Sequence, residues 1–173
     1  MHTNPDRAEW LGDPYVDERN HPAGFAIRTR KNLLFLEQAR TDGADVHVVA
    51  QLVNSLLGVV VFPWEKQLVL RLGRLRLETL RNQGWPQWDL TVGTCDTLGQ
   101  LIRKFRHAVA HGNVRFTSES RLLDEVFVEV ANFSQPPAKG PPTWAARMRA
   151  DRLREFCLRL IYLFECQSRK NAG

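Results

Sequence analysis

The stretch 98–116, LGQLIRKFRHAVAHGNVRF, carries the clearest helical pattern of the chain. Its apolar residues recur every three or four positions, which places them on one buried side of a helix. Thr94 or Asp96 can cap the start of this helix, and Gly112 follows its last turn as a stop signal. The apolar side comprises Leu98, Leu101, Ile102, Phe105 and Val109, and the opposite side carries Arg103, Arg106, His107, Ala110 and His111.

Four more helices are predicted from the same kind of pattern, over residues 24–40, 45–61, 65–80 and 143–167. Asp45 is a plausible N-cap of the second helix, and Pro63 is expected to break or restart the helix after it. The last helix is expected to bury Met148, Leu153, Phe156, Leu160 and Leu163.

The second predicted helix has a polar stripe beside its apolar side, formed by Gln51, Asn54, Ser55 and Gly58 at helical spacing. Two interpretations stay open. The stripe allows close helix packing with satisfied side-chain hydrogen bonds, or Asn54 and Ser55 line a nucleotide site.

Alternating, β-branched residues at 114–116 and 126–130 predict a small β-hairpin. Residues 82–93 and 134–142 are rich in turn-forming residues and are predicted loops. The predicted fold is mainly α: an up-and-down bundle of four to five helices with the hairpin inserted before the last. Residues 1–23 form an N-terminal arm, and residues 24–170 form one domain.

Composition narrows the function classes only slightly. The chain has 173 residues, a formal net charge of +5 and 24 basic residues, mostly Arg. The positive net charge mildly favours an anionic partner. Coding bias and a solvated surface would, however, explain the same number of arginines. Three cysteines without a CxxC pair argue against disulfides and a cysteine zinc site. We expect a cytoplasmic protein with no membrane segment and no cofactor.

The motif RHAVAH, from Arg106 to His111, resembles the Arg-polar-x3-His signature of the HEPN superfamily. AVAHGNVRF resembles the sequence after the arginine in many prokaryotic HEPN proteins. NSLLGVVVFPWEK, residues 54–66, resembles the second-helix region of one plasmid- and chromosome-borne HEPN nuclease family. The resemblance covers about residues 24–168 and implies a HEPN-like helical bundle.

RNA is cleaved without metal when its 2′-hydroxyl attacks the adjacent phosphate, which requires proton transfer and charge stabilisation. Imidazole transfers protons near neutral pH, and guanidinium binds phosphate oxygens. The resemblance implies these roles: His111 as general acid or base and Arg106 as phosphate clamp, with His107 in the polar position. We predict Asn113, Asn54 and Ser55 as further supporting residues, and Arg103, Lys104 and Arg115 as RNA contacts.

Arg106 and His111 point about 140° apart on an ideal helix, so a distorted helix end or a second helix must bring them together. The resemblance implies the second arrangement, a homodimer with a composite site between facing motif helices. Zinc binding by His107 and His111 is the alternative, but nothing on that helix completes such a site.

Two functions remain open from the sequence. The first is a metal-independent endoribonuclease acting as a toxin or defence effector. The second is a non-catalytic homodimer that binds RNA, nucleotide or a partner protein such as an antitoxin. A nucleotidyltransferase partner is compatible with either function.

Overall fold

The computed structural model describes residues 22–65, 72–134 and 140–171. The predicted arm lies outside these ranges, apart from its last two residues, which start the first helix. The helices are α1 (Pro22–Thr41), α2 (Val48–Glu65), α3 (Leu77–Asn82), α4 (Leu98–Ala110) and α5 (Ala150–Asn171). The strands are β1 (Asp89–Val92), β2 (Val114–Phe116), β3 (Phe127–Asn132) and β4 (Trp144–Arg149).

The strands form one antiparallel sheet in the order β1-β4-β3-β2. The predicted hairpin is confirmed as β2 and β3, with Val114 opposite Val130 and Phe116 opposite Val128. The hairpin is only half of the sheet, however. A mainly α fold with one small hairpin is therefore only partly confirmed, because the described residues combine a helical domain with a four-stranded sheet.

The two unpredicted strands lie where the sequence indicated other structures. β1 falls inside the predicted loop 82–93, and β4 occupies the predicted start of the last helix. The sequence of β4, WAARMR, has helix-forming residues, but its side chains alternate between buried and exposed. This segment forms a strand because it pairs with β1 on one side and β3 on the other, and the preference for a strand depends on such neighbours.

The last helix therefore begins at Ala150 instead of residue 143. Met148 is buried as predicted, but it reaches the core from β4. The predicted inward residues Leu153, Phe156 and Leu160 are buried in α5, and Leu163 packs partly buried against them. Arg154 of α5 forms an ion pair with Glu37 of α1, and this hydrogen bond raises the pKa of the arginine.

The structure differs from the predictions around α2 and α3. α2 begins at Val48, so Asp45 lies too far upstream to cap it and instead forms an ion pair with Arg121. The helix continues past Pro63 to Glu65, so the proline does not end it. Of the predicted helix 65–80, residues 66–71 lie outside the described ranges, residues 73–76 are not helical, and α3 comprises Leu77–Asn82.

The core lies between the helices and the inner face of the sheet. α1, α2 and α5 contact one another, while α4 contacts both β3 and α2. Aromatic side chains from the segment before β1 fill the centre: the ring centroids of Trp88 and Phe105 are 4.5 Å apart, and those of Trp85 and Phe156 are 5.7 Å apart. Among the described helices, none is long and apolar enough to cross a membrane.

The start of α4 is held against the segment before α3 by backbone contacts. Leu98 N–H donates to the Leu75 carbonyl at 2.9 Å, and Gly99 N–H donates to the Gly73 carbonyl at 3.1 Å. A Cβ on Gly99 would lie 2.9 Å from both Cα and the carbonyl oxygen of Gly73. Glycine is therefore required here for close backbone approach, and the contact fixes where the motif-bearing helix begins.

Candidate functional site

Helix α4 begins at a capping box that the sequence analysis misplaced. The N-cap is Thr97, whose Oγ1 accepts from Gln100 N–H at 3.3 Å, while Gln100 Oε1 accepts from Thr97 N–H at 3.4 Å. Neither Thr94 nor Asp96 is the cap. The reciprocal pair needs a Ser or Thr three residues before a Gln or Glu, and only Thr97 has this spacing to Gln100.

The end of α4 agrees with the prediction. His111 is the C-cap, with φ −101° and ψ 10°, and Gly112 has a left-handed φ of +67°. Gly112 N–H donates to the Val109 carbonyl at 2.9 Å, and Asn113 N–H donates to the Ala108 carbonyl at 2.8 Å. These two bonds form a Schellman motif, which places His111 and Asn113 at fixed positions on either side of the glycine.

Burial divides α4 as its pattern predicted. Leu98, Leu101, Ile102 and Phe105 are each at most 3% exposed, and Val109 is partly buried. On the opposite side, Arg106 is half-buried, while Arg103, His107, Ala110 and His111 are exposed. The titratable groups of the motif thus lie beside solvent on a helix whose other side is fixed in the core.

The two histidines of the motif contact each other. The ring centroids of His107 and His111 are 4.5 Å apart, with the planes tilted by 57°. His107 Nδ1 also lies 3.0 Å from Oδ1 of Asn132 on β3, and Asn132 Nδ2 donates to the Lys104 carbonyl at 3.0 Å. A buried amide from the sheet therefore holds one motif side chain and the backbone of the motif helix.

Asn132 is the site residue that the sequence analysis missed. It is 8% exposed and follows Val128 and Val130 on the inward-facing side of β3. The sequence could have indicated this residue, because it is polar at an inward-facing position of a strand and buried amides are normally hydrogen-bonded. The predicted strand, however, ended at residue 130.

A groove of about 440 Å³ runs from the end of α4 onto the outer face of the sheet. Gly112, Asn113 and Arg115 line it at one end, and Ala131 and Ala145 contribute small side chains on neighbouring strands. The structure thus brings the predicted residues Asn113 and Arg115 to one groove beside the motif.

A row of alternating charges crosses the sheet at this groove. The register places Arg115 opposite Glu129, Glu129 opposite Arg147, and Arg147 opposite Asp89. Arg147 Nε lies 2.8 Å from Asp89 Oδ2, so the far end of the row is an ion pair. Arg115, which is exposed, is the cation of this row that follows α4 directly in the chain.

The other predicted RNA contacts have different surroundings. Arg103 is exposed on α4. Lys104 is half-buried, and its Nζ lies 5.4 Å from the centre of the Trp144 ring, within range of a cation–π interaction. Arg103 and Arg115 therefore present exposed cations, while the Lys104 ammonium packs on an aromatic ring.

The polar stripe of α2 lies against α1, as the interpretation of close helix packing requires. Ser55 is 3% exposed and its Oγ accepts from Gln51 Nε2 at 3.4 Å. A Cβ on Gly58 would lie 2.7 Å from the Phe25 ring of α1, so the stripe allows close approach of the two helices. Asn54 is exposed. A role of Asn54 and Ser55 in binding nucleotide stays a prediction.

The cysteines are free, and Cys95 and Cys157 are buried. Burial raises the pKa of the Cys157 thiol to about 12 and also raises the pKa of Cys95. Both thiols are therefore protonated at neutral pH and poor nucleophiles. Within the described ranges, no group of three His, Cys, Asp or Glu side chains is arranged to hold a metal ion.

Comparison with known families adds to this geometry. A family model described as HEPN pEK499 p136 matches residues 12–171, nearly the whole chain. The chain belongs to this HEPN family. Comparisons with curated proteins and with solved structures found no match. Membership of the HEPN family indicates nuclease or RNA-binding function in general, and confirms the predicted resemblance to the HEPN superfamily.

Proposed function

We propose that this HEPN protein is a metal-independent endoribonuclease. The observation that carries the proposal is the ring contact of His107 and His111 at the exposed end of α4, on the helix that also bears Arg106. A guanidinium and two imidazoles supply phosphate binding and proton transfer, which are the functions that cleavage by the 2′-hydroxyl requires. We further propose a cytoplasmic role as a toxin or defence effector, restrained by an antitoxin or nucleotidyltransferase partner.

In the proposed reaction, Arg106 binds the non-bridging oxygens and stabilises the charge that develops at phosphorus. His111 donates a proton to the leaving 5′-oxygen, a role that suits its place at a helix C-terminus, where cations are favoured. Cleavage then leaves a 2′,3′-cyclic phosphate and a 5′-hydroxyl. No step in this sequence requires a metal ion.

The RNA chain is proposed to run past the exposed end of α4. Arg103 on α4 and Arg115 on β2 offer exposed cations to its phosphates, and Lys104 follows Arg103 on α4. The groove lined by Asn113 and Arg115 lies directly beside the motif and extends the contact surface onto the sheet. Asn54 and Ser55 keep a proposed supporting role.

The site is proposed to be completed in a homodimer. The observed ring contact joins His111 to His107, one helical turn away, and on a regular helix Arg106 projects in another direction. A second α4 facing the first supplies an arginine to the histidines. Ala110 and Gly112 are exposed and small, and a Cβ on Gly112 would meet nothing within 4 Å, so close approach is sterically open.

The experiment that tests the function is incubation of the pure protein with total RNA, with and without EDTA. We expect cleavage in both samples, and termini carrying 2′,3′-cyclic phosphate or its hydrolysis product. Termini with 5′-phosphate, or complete loss of cleavage with chelator, would contradict the mechanism. Binding of RNA without any cleavage would instead favour a non-catalytic HEPN homodimer.

A further inference from the structure

The buried side chain of Asn132 connects the sheet to the exposed side of α4. Its Nδ2 donates to the Lys104 carbonyl and its Oδ1 lies 3.0 Å from His107 Nδ1. The Asn132 carbonyl accepts from both N–H and Oγ1 of Thr143, at 2.8 Å and 3.2 Å. The side-chain amide is fixed by its bonds to Lys104 and His107, and it cannot turn without breaking both.

This arrangement determines which nitrogen of His107 carries the proton. A backbone carbonyl can only accept, so the amide nitrogen of Asn132 must face Lys104 and the amide oxygen must face His107. The oxygen in turn can only accept, so His107 Nδ1 is the donor. Neutral His107 is thereby held with hydrogen on Nδ1 and a lone pair on Nε2, at the exposed side of the helix.

An exposed histidine needs no protein partner, since water satisfies both ring nitrogens. The bond to Lys104 alone would satisfy the amide hydrogen that faces it, which is a sufficient structural reason for a buried asparagine. The additional bond to an exposed ring has a different consequence. It fixes the orientation and the tautomer of the His107 ring, both of which could otherwise vary.

We propose that His107 Nε2 is the general base of the reaction and that Asn132 is its positioning residue. This inference rests on the proposed ribonuclease function and divides the acid and base roles between the two motif histidines. His107 Nε2 accepts the proton of the 2′-hydroxyl as the bond from O2′ to phosphorus forms. The bond from phosphorus to O5′ breaks, and the His111 imidazolium protonates the leaving oxygen.

The charged groups around His107 come from its own helix. His111 is the titratable group in ring contact with it, and Arg103 and Lys104 lie about one turn before it on α4. From β3, the neutral Asn132 amide faces the ring. Residues 48–58 of α2, which also packs against α4, include no charged side chain. In the described part of the chain no carboxylate contacts His107.

The tautomer can be measured without any assay of activity. Ring ¹⁵N chemical shifts of the histidines in the full-length protein distinguish Nδ1–H from Nε2–H. We expect His107 to show Nδ1–H in the wild type and to lose this preference in Asn132→Leu. The control is Thr143→Val, which removes the hydroxyl that donates to the Asn132 carbonyl and leaves the amide intact. A wild-type His107 with hydrogen on Nε2 would overturn the inference.

The base role is tested by the pH dependence of single-turnover cleavage. Asn132→Asp keeps an oxygen against Nδ1 and adds a negative charge that favours the imidazolium. His107 would then lose its proton only at higher pH, so the acidic limb should move upward by about one pH unit. Thr143→Val should leave the limb in place, and Asn132→Leu should lower the rate roughly 10- to 100-fold, as loss of an orienting partner does elsewhere.

The outcomes separate this inference from the proposed function. Wild-type protein that cleaves RNA, together with a folded Asn132→Asp whose acidic limb does not move, would overturn the base assignment and leave the ribonuclease proposal standing. Wild-type protein that cleaves no RNA would contradict the ribonuclease itself. If Asn132→Asp fails to fold, the tautomer of wild-type His107 decides the question.

Discussion

His111 and Arg106 differ from His107 in what holds them. His107 is bound to the sheet through Asn132, while His111 stands at the C-cap and contacts the His107 ring. Arg106 is half-buried on the adjacent position of α4. None of the three side chains belongs to the apolar side of the helix. Removal of the His111 or Arg106 side chain should therefore affect chemistry much more than stability.

The first variant prediction concerns these side chains. His111→Ala should lower single-turnover cleavage roughly 10²- to 10⁴-fold, the usual contribution of a general acid or base. Arg106→Ala should lower it by a comparable amount through lost stabilisation of the phosphate charge. Circular dichroism and light scattering should show both variants folded and with wild-type assembly. A folded His111→Ala with wild-type cleavage would remove the catalytic assignment of His111.

At the scale of elements, α4 is the helix that carries the side chains of the motif. A capping box at Thr97 and a Schellman motif at Gly112 define its two ends. Its first turn lies against the Gly73 backbone, and its apolar side packs on β3 and α2. The helix is thus positioned by contacts at both ends and along one side, which leaves the motif side rigid and accessible.

The close contact at the start of α4 gives a stability prediction. Gly99→Ala places a Cβ at 2.9 Å from two backbone atoms of Gly73, so one of the two segments must shift. Overpacking of this kind costs about 1–3 kcal/mol, although alanine is otherwise the better helix former. Urea unfolding should show this loss. The control is Arg103→Ala on the exposed side of the same helix, which should change the free energy of unfolding by less than about 0.5 kcal/mol.

At the scale of the whole molecule, the sheet and the helices share one core but have different roles around the motif. The inner face of the sheet supports α4 and supplies Asn132, while its outer face carries the groove and the row of alternating charges. Arg115 lies on that outer face. A second copy of the chain, placed against the exposed side of α4, would complete the proposed site.

The proposed homodimer can be tested together with activity. Ala110 is exposed and small on the motif side, so Ala110→Arg should block close approach of two α4 helices and lower both dimerisation and cleavage. Thr79→Arg, at an exposed position of α3, is the matched control and should leave both unchanged. Light scattering at micromolar concentration measures the assembly. A monomeric protein with full cleavage activity would rule out a composite site.

Much of α4 was predictable because its determinants are local. The apolar side, the exposed histidines and the stop at Gly112 follow from the 3.6-residue period and from the left-handed φ that glycine adopts easily. The β2–β3 pair was predictable for the same reason, since alternation and β-branched residues occur within each strand. The motif RHAVAH and its flanking residues also indicated the HEPN family, which the family match confirms.

Tertiary structure decided the features whose determinants lie far apart in the chain. WAARMR became β4 because β1 and β3 pair with it on both sides, which outweighed the helix propensity of its alanines, arginines and methionine. Glycine is required at position 99 because the backbone of Gly73, 26 positions earlier in the chain, lies where a Cβ would be. Asn132 reaches His107 and Lys104 only because β3 packs against α4. The sequence by itself determined which side chains the motif helix presents, and packing against the sheet decided how one of them, His107, is held.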